Sequence, residues 1–109
     1  MRLDRNINPD GRGKYALLRL RKIPEPNSPQ YEAVCQALGV LTAAGILEHG
    51  FVGTEGEFFP IFIRDRYARP ALTAYARAAR VDHQEEYADD IFEIAERSGT
   101  ASPFCKTPD

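Results

Sequence analysis

The sequence predicts an α+β fold: a small antiparallel sheet of three to four strands with two or three helices packed on one face. Three observations carry this expectation. Residues 14–23 and 57–64 place apolar side chains at alternate positions, the period of a strand. Gly53-Thr54-Glu55-Gly56 stands between two apolar runs, where a hairpin would turn. Residues 65–98 instead repeat apolar side chains every three or four positions, in two stretches, as amphipathic helices do.

Taken in order, a short strand over 2–7 leads into Asn8-Pro9-Asp10-Gly11. That is a turn with a mechanism, since proline presets φ at one position and glycine accepts the left-handed one. Gly13 adds a second loose joint before the strand over 14–23. There Ala16, Leu18 and Leu20 share one face, and Tyr15, Leu17, Arg19, Arg21 and Ile23 share the other. Pro24, Pro26 and Pro29 break the pattern. Ser28 reads as an N-cap, with Pro29 at the first helical position and Glu32 in the first turn, opening a helix over 29–44. Val34, Leu38 and Leu41 form its apolar stripe, and Gly45 stands at its stop. Gly39 inside it costs about 1 kcal/mol relative to alanine, enough to bend or shorten the helix.

A strand over 46–52, the turn at 53–56 and a strand over 57–64 complete a hairpin. Pro60 has no N–H for a ladder and sets the last strand at an edge. A second helix begins near Asp65, is established by Pro70 and runs to Val81. Asp82, with Glu85 three residues on, makes a capping box for a third helix ending at Ser98-Gly99. Residues 1–99 read as one α+β domain, as expected for a chain of 109 residues, and 100–109 as an irregular tail.

Hydrophobic residues make up 43% of the chain and charged residues 28%, which suits a globular domain rather than a disordered one. The net charge of −2 gives no general affinity for nucleic acid or membrane. Two distant cysteines and a polar start without a signal-like apolar run point to a reducing, cytoplasmic setting. The charge is nevertheless segregated: +5 over 1–22, −5 over 23–63, +4 over 64–81 and −6 over 82–109.

The sequence holds no motif that names an activity. Gly11-Arg12-Gly13-Lys14 resembles a phosphate loop, yet Lys14 is followed by Tyr15 and a strand pattern, not by Ser or Thr and a helix. His49 and His83 have no second metal ligand in register. Cys35 reads as a small core thiol, and Cys105 has no base beside it. Asp89 and Asp90 point to different helix faces and make no carboxylate dyad. No enzyme, cofactor or metal is expected.

Two surfaces stand out instead. In the strand over 57–64, Phe59, Ile61 and Ile63 make the better core face, which leaves Phe58, Pro60 and Phe62 on the other. With Phe51 and Tyr15 they form the kind of apolar patch that marks an interface. Its cover is either a partner, a second copy included, or the chain's own ends, Phe104 among them. The third helix adds an acidic face with Glu86, Asp89, Asp90 and Glu93. The second helix carries Arg66, Arg69, Thr73, Arg77 and Arg80 at helical spacing, a face suited to phosphate. Arg12 and Lys14 would join it.

The runs NINPDGRGKYALLRLRK and EFFPIFIRDRYARPALTAYARAAR are similar to small uncharacterised proteins encoded by tailed phages and prophages. The resemblance covers residues 1–23 and 57–97 and transfers no catalytic residue. It implies a bacterial cytoplasm and a protein that binds host machinery, defence complexes included. The functional expectation is a non-enzymatic binding protein acting through Phe58, Pro60, Phe62 and the acidic helix. The alternative is a nucleic-acid-binding accessory protein using Arg12, Lys14, Arg66, Arg69, Arg77 and Arg80.

Overall fold

A computed structural model describes residues 15–108. Their regular elements are three α-helices, α1 (Tyr31–Ala43), α2 (Ala68–Val81) and α3 (Glu85–Glu96), with 3₁₀ turns at Leu20–Lys22 and Gly99–Ala101. Among the described residues there is no strand and no sheet. The expected α+β fold, with three to four paired strands, is therefore overturned: the chain is helical. The strand over 2–7, the turn at 8–11 and Gly13 lie outside the described residues.

The reasons are local. A strand needs a neighbour to satisfy its backbone, and each expected neighbour is disabled. Gly50 and Gly53 adopt φ of +62° and +81°, which turns 46–52 into loop. Pro60 withholds a donor from 57–64. Beyond Arg19, the stretch 14–23 coils into 3₁₀ geometry, with Lys22 N–H on the Arg19 carbonyl at 2.9 Å and Ile23 N–H on that of Leu20 at 3.1 Å. Neither face of 57–64 is core: Phe59, expected inside, is 85% exposed.

The chain divides into two compact units, Leu17–Phe59 and a second one whose described part is Tyr15, Ala16 and residues 60–108. In the first, α1 is entered through Ser28, whose Oγ accepts the Gln30 N–H at 3.2 Å and whose carbonyl accepts that of Tyr31 at 3.2 Å. The serine thus caps from just outside the helix. Gly45, at φ +75°, closes α1: its N–H reaches the Thr42 carbonyl at 3.1 Å, and Ile46 N–H reaches that of Leu41 at 2.9 Å. This double bond is the Schellman stop. Gly39 lies within the helix and does not end it. Tyr31, Val34, Cys35, Leu38 and Leu41 line one side of α1 and are only half-buried.

In the second unit, α2 and α3 form an antiparallel hairpin. Asp65 prepares α2, its Oδ1 accepting the Tyr67 N–H at 2.7 Å. Pro70 falls in the first turn, where a missing N–H costs nothing. The core is thin and mostly alanine: Ala68 and Ala76 from α2; Ala88, Ile91, Ile94 and Ala95 from α3. Small side chains let the two backbones approach closely. Asp82 does not cap α3 as the capping-box pattern suggests; it ends α2. There His83, at φ +63°, takes the place glycine usually fills, with His83 N–H on the Arg80 carbonyl at 2.9 Å and Gln84 N–H on that of Ala79 at 3.0 Å.

The segment after α3 returns to the start of α2. Gly99 N–H donates to the Ile63 carbonyl at 2.9 Å. Lys106 and Asp65 form a parallel bridge, with Arg66 N–H on the Lys106 carbonyl at 2.9 Å and Lys106 N–H on that of Arg64 at 3.0 Å. Gly99 has φ +59°, and a Cβ there would lie 3.2 Å from the Arg66 carbonyl oxygen and 3.3 Å from Arg69 Cβ. Among the described residues no helix is long and apolar enough to cross a membrane.

Candidate functional site

The unit Leu17–Phe59 contains no fully buried residue. Its large apolar side chains face outward instead: Leu17, Val40 and Ile46, and above all the loop that follows α1, where Phe51, Val52, Phe58 and Phe59 are all exposed. That loop has a definite shape. Thr54 N–H and Oγ1 both donate to the Phe51 carbonyl. Glu57 Oε1 accepts the Gly53 N–H at 2.9 Å. The Phe58 ring lies where a side chain on Gly50 would be, and the Glu48 carboxylate does the same at Gly56. His49 stacks on Phe51, with ring centres 5.3 Å apart and planes 13° from parallel. The aromatic groups are held out by backbone and glycine geometry, not left loose.

The expected patch of Phe58, Pro60 and Phe62 is not a strand face. All three are exposed, Phe58 at 64% and Phe62 at 41%, but the division between units falls after Phe59. Phe58 belongs to the first unit, Pro60 and Phe62 to the second. The Arg64 guanidinium lies over the Phe62 ring, 4.5 Å from its centre.

On α3, Glu86, Asp89 and Glu93 share the outward face with Glu85 and Glu96, all exposed. Asp90 stands on the flank, half-buried, and its Oδ2 is buried without a hydrogen-bond partner among the described residues. Of the arginines expected on the second helix, Arg66 lies in the turn before α2, and the others divide. Arg80 bonds Asp89 and lies over the Phe92 ring at 4.7 Å, so it clamps the two helices together. Arg66, Arg69 and Arg77 are exposed and in no ion pair among the described residues. Arg12 and Lys14 lie outside the described residues.

Two features were not found by reading the sequence. Tyr75 of α2 and Tyr87 of α3 meet edge to face, with centres 6.0 Å apart and hydroxyls hydrogen-bonded at 3.0 Å. Tyr87 is pushed up to about 12, first by that bond, then by burial, then by the charge Tyr75 would carry. The second is an open groove of about 720 Å³ in the first unit, lined by Pro26, Ser28, Pro29, Tyr31, Glu32, Cys35 and Gln36. Tyr31 and Cys35 sit one helical turn apart, and their hydrogen bond holds the Tyr31 hydroxyl above its usual pKa. The groove's polar groups are the Ser28 and Tyr31 hydroxyls, the Glu32 carboxylate, the Cys35 thiol and the Gln36 amide. Among the described residues no three His, Cys, Asp or Glu side chains gather as a metal site.

No protein-family model matches the chain, no curated protein is similar to it, and no solved structure is similar to it.

Proposed function

We propose that the chain is a non-enzymatic protein-binding module that acts by having its exposed apolar loop covered by a protein partner. One observation carries the reading: a unit of 43 residues, Leu17–Phe59, has no buried side chain of its own while Phe51, Val52, Phe58 and Phe59 stand in water. Contiguous apolar surface of this kind marks interfaces in soluble proteins. Aromatic groups carry much of the energy where such interfaces form. The partner's chemistry follows from charge. Residues 23–63 hold five acids and no base, so a basic rim around an apolar patch is what fits them. The resemblance to phage-encoded proteins makes a modulator or inhibitor of a host complex, of the anti-defence kind, the narrower form of the proposal.

Hydrogen exchange on the dilute purified chain tests it. The amides of Phe51, Val52, Phe58 and Phe59, which donate no hydrogen bond among the described residues, are expected to exchange close to the free rate, while α2 and α3 stay protected. Protection of those amides equal to that of α2 in the isolated chain would overturn the reading, because the loop would then need no cover.

A second reading rests on Arg69 and Arg77 of α2 and on Arg66 just before it, three exposed cations in no ion pair among the described residues. It makes the chain a nucleic-acid-binding accessory protein. Its signature is an affinity that falls with salt by roughly 0.9 log units per log unit for each phosphate neutralised.

A further inference from the structure

We infer that the partner of the 46–59 loop is a second copy of this chain, which receives the loop on the outer face of α2. The inference rests on the proposal that a protein covers the loop. On α2, the side turned away from α3 carries Ala71, Ala74, Ala78 and Val81, all exposed, with Arg77 beside them. It is a shallow apolar face with a basic edge. The loop offers the complement: Phe51, Val52 and Phe59 project, and Glu48 and Glu55 stand around them. None of Glu48, Glu55 and Arg77 is in an ion pair among the described residues.

Three physical points favour a second copy over an unrelated protein. The two surfaces are of matched type, projecting aromatics against small side chains that admit them. Their charges are opposite and close in size, −5 over 23–63 and +4 over 64–81, so copies attract where those regions meet. Each surface is exposed among the described residues. Burial of the aromatic groups supplies the attraction. The Glu55 and Arg77 charges set which surfaces meet.

Light scattering on the full chain, across protein concentration and at low and high salt, is the experiment. Wild type is expected to gain mass with concentration, and to lose part of that gain in high salt as the rim charges are screened. Glu55→Arg and Arg77→Glu are each expected to weaken association about ten-fold. Both positions are exposed, so far-UV circular dichroism should remain that of wild type. Mixing the two variants restores association, because the changed loop then faces a changed helix of opposite sign. A wild type that stays monomeric at every concentration overturns the inference, as do single variants that associate like wild type. Hydrogen exchange separates this from the broader reading. A monomer whose loop exchanges freely rejects the second copy and keeps a different protein partner; a monomer whose loop is protected rejects both.

Discussion

His83 is the residue whose backbone is most at odds with its side chain. It holds φ +63° at the end of α2, a conformation that costs a residue with a Cβ about 1 kcal/mol and costs glycine almost nothing. His83→Gly is expected to raise stability by about that amount, seen as a higher denaturant midpoint at unchanged slope. Tyr87 makes a second residue-level prediction. Its pKa in the folded chain stands at about 12, above the ordinary 10. A raised pKa favours the protonated, folded form, so this stabilisation is complete below pH 10 and is lost as pH rises towards 12. Titration by phenolate absorbance should show Tyr87 ionising late, and Tyr75→Phe should bring it back towards 10. Neither feature is legible in the sequence. His83 stands where a glycine would have signalled the stop. The tyrosine pair depends on how α2 and α3 align, which spacing within one helix does not fix.

At the scale of elements, helices were legible and strands were not. The expected helices over 29–44 and about 65–81 correspond to Tyr31–Ala43 and Ala68–Val81, and the third to Glu85–Glu96. A helix satisfies its own backbone, so its signals (an apolar period, Ser28, Gly45) lie within the segment that folds. Alternation is only half of a strand's requirement; the other half is a partner elsewhere in the chain. In 46–64 the positive-φ glycines and Pro60 remove that partner, and apolar alternation becomes an exposed aromatic loop. The link between α3 and the start of α2 was equally hidden, because it runs through main-chain bonds of Gly99 and Lys106. Gly99→Ala tests it. The left-handed φ and the nearby Arg66 carbonyl predict a loss of about 1–2 kcal/mol, read as a lower denaturant midpoint. The same substitution at Gly39, where no atom lies within 4 Å, should stabilise α1 by up to about 1 kcal/mol.

For the whole molecule, the alternation of charge blocks is visible from composition along the chain, and the proposal of a basic-rimmed partner for the loop rests on it. The candidate surface was half legible. Phe58 and Phe62 stand out in the sequence as apolar side chains that need an account, and both are exposed. The reason expected for their exposure, a sheet with one free face, does not survive, because the described residues form no sheet. The thin core of α2 and α3 leaves little stability to spare, so each main-chain tie matters. One such tie also bears on time. Asp65 can meet Lys106 only after everything between them has been synthesised and α3 has folded back. Closing so long a loop is entropically slow beside the winding of either helix. The junction should therefore form after the transition state, so that weakening it speeds unfolding and leaves the folding rate nearly untouched.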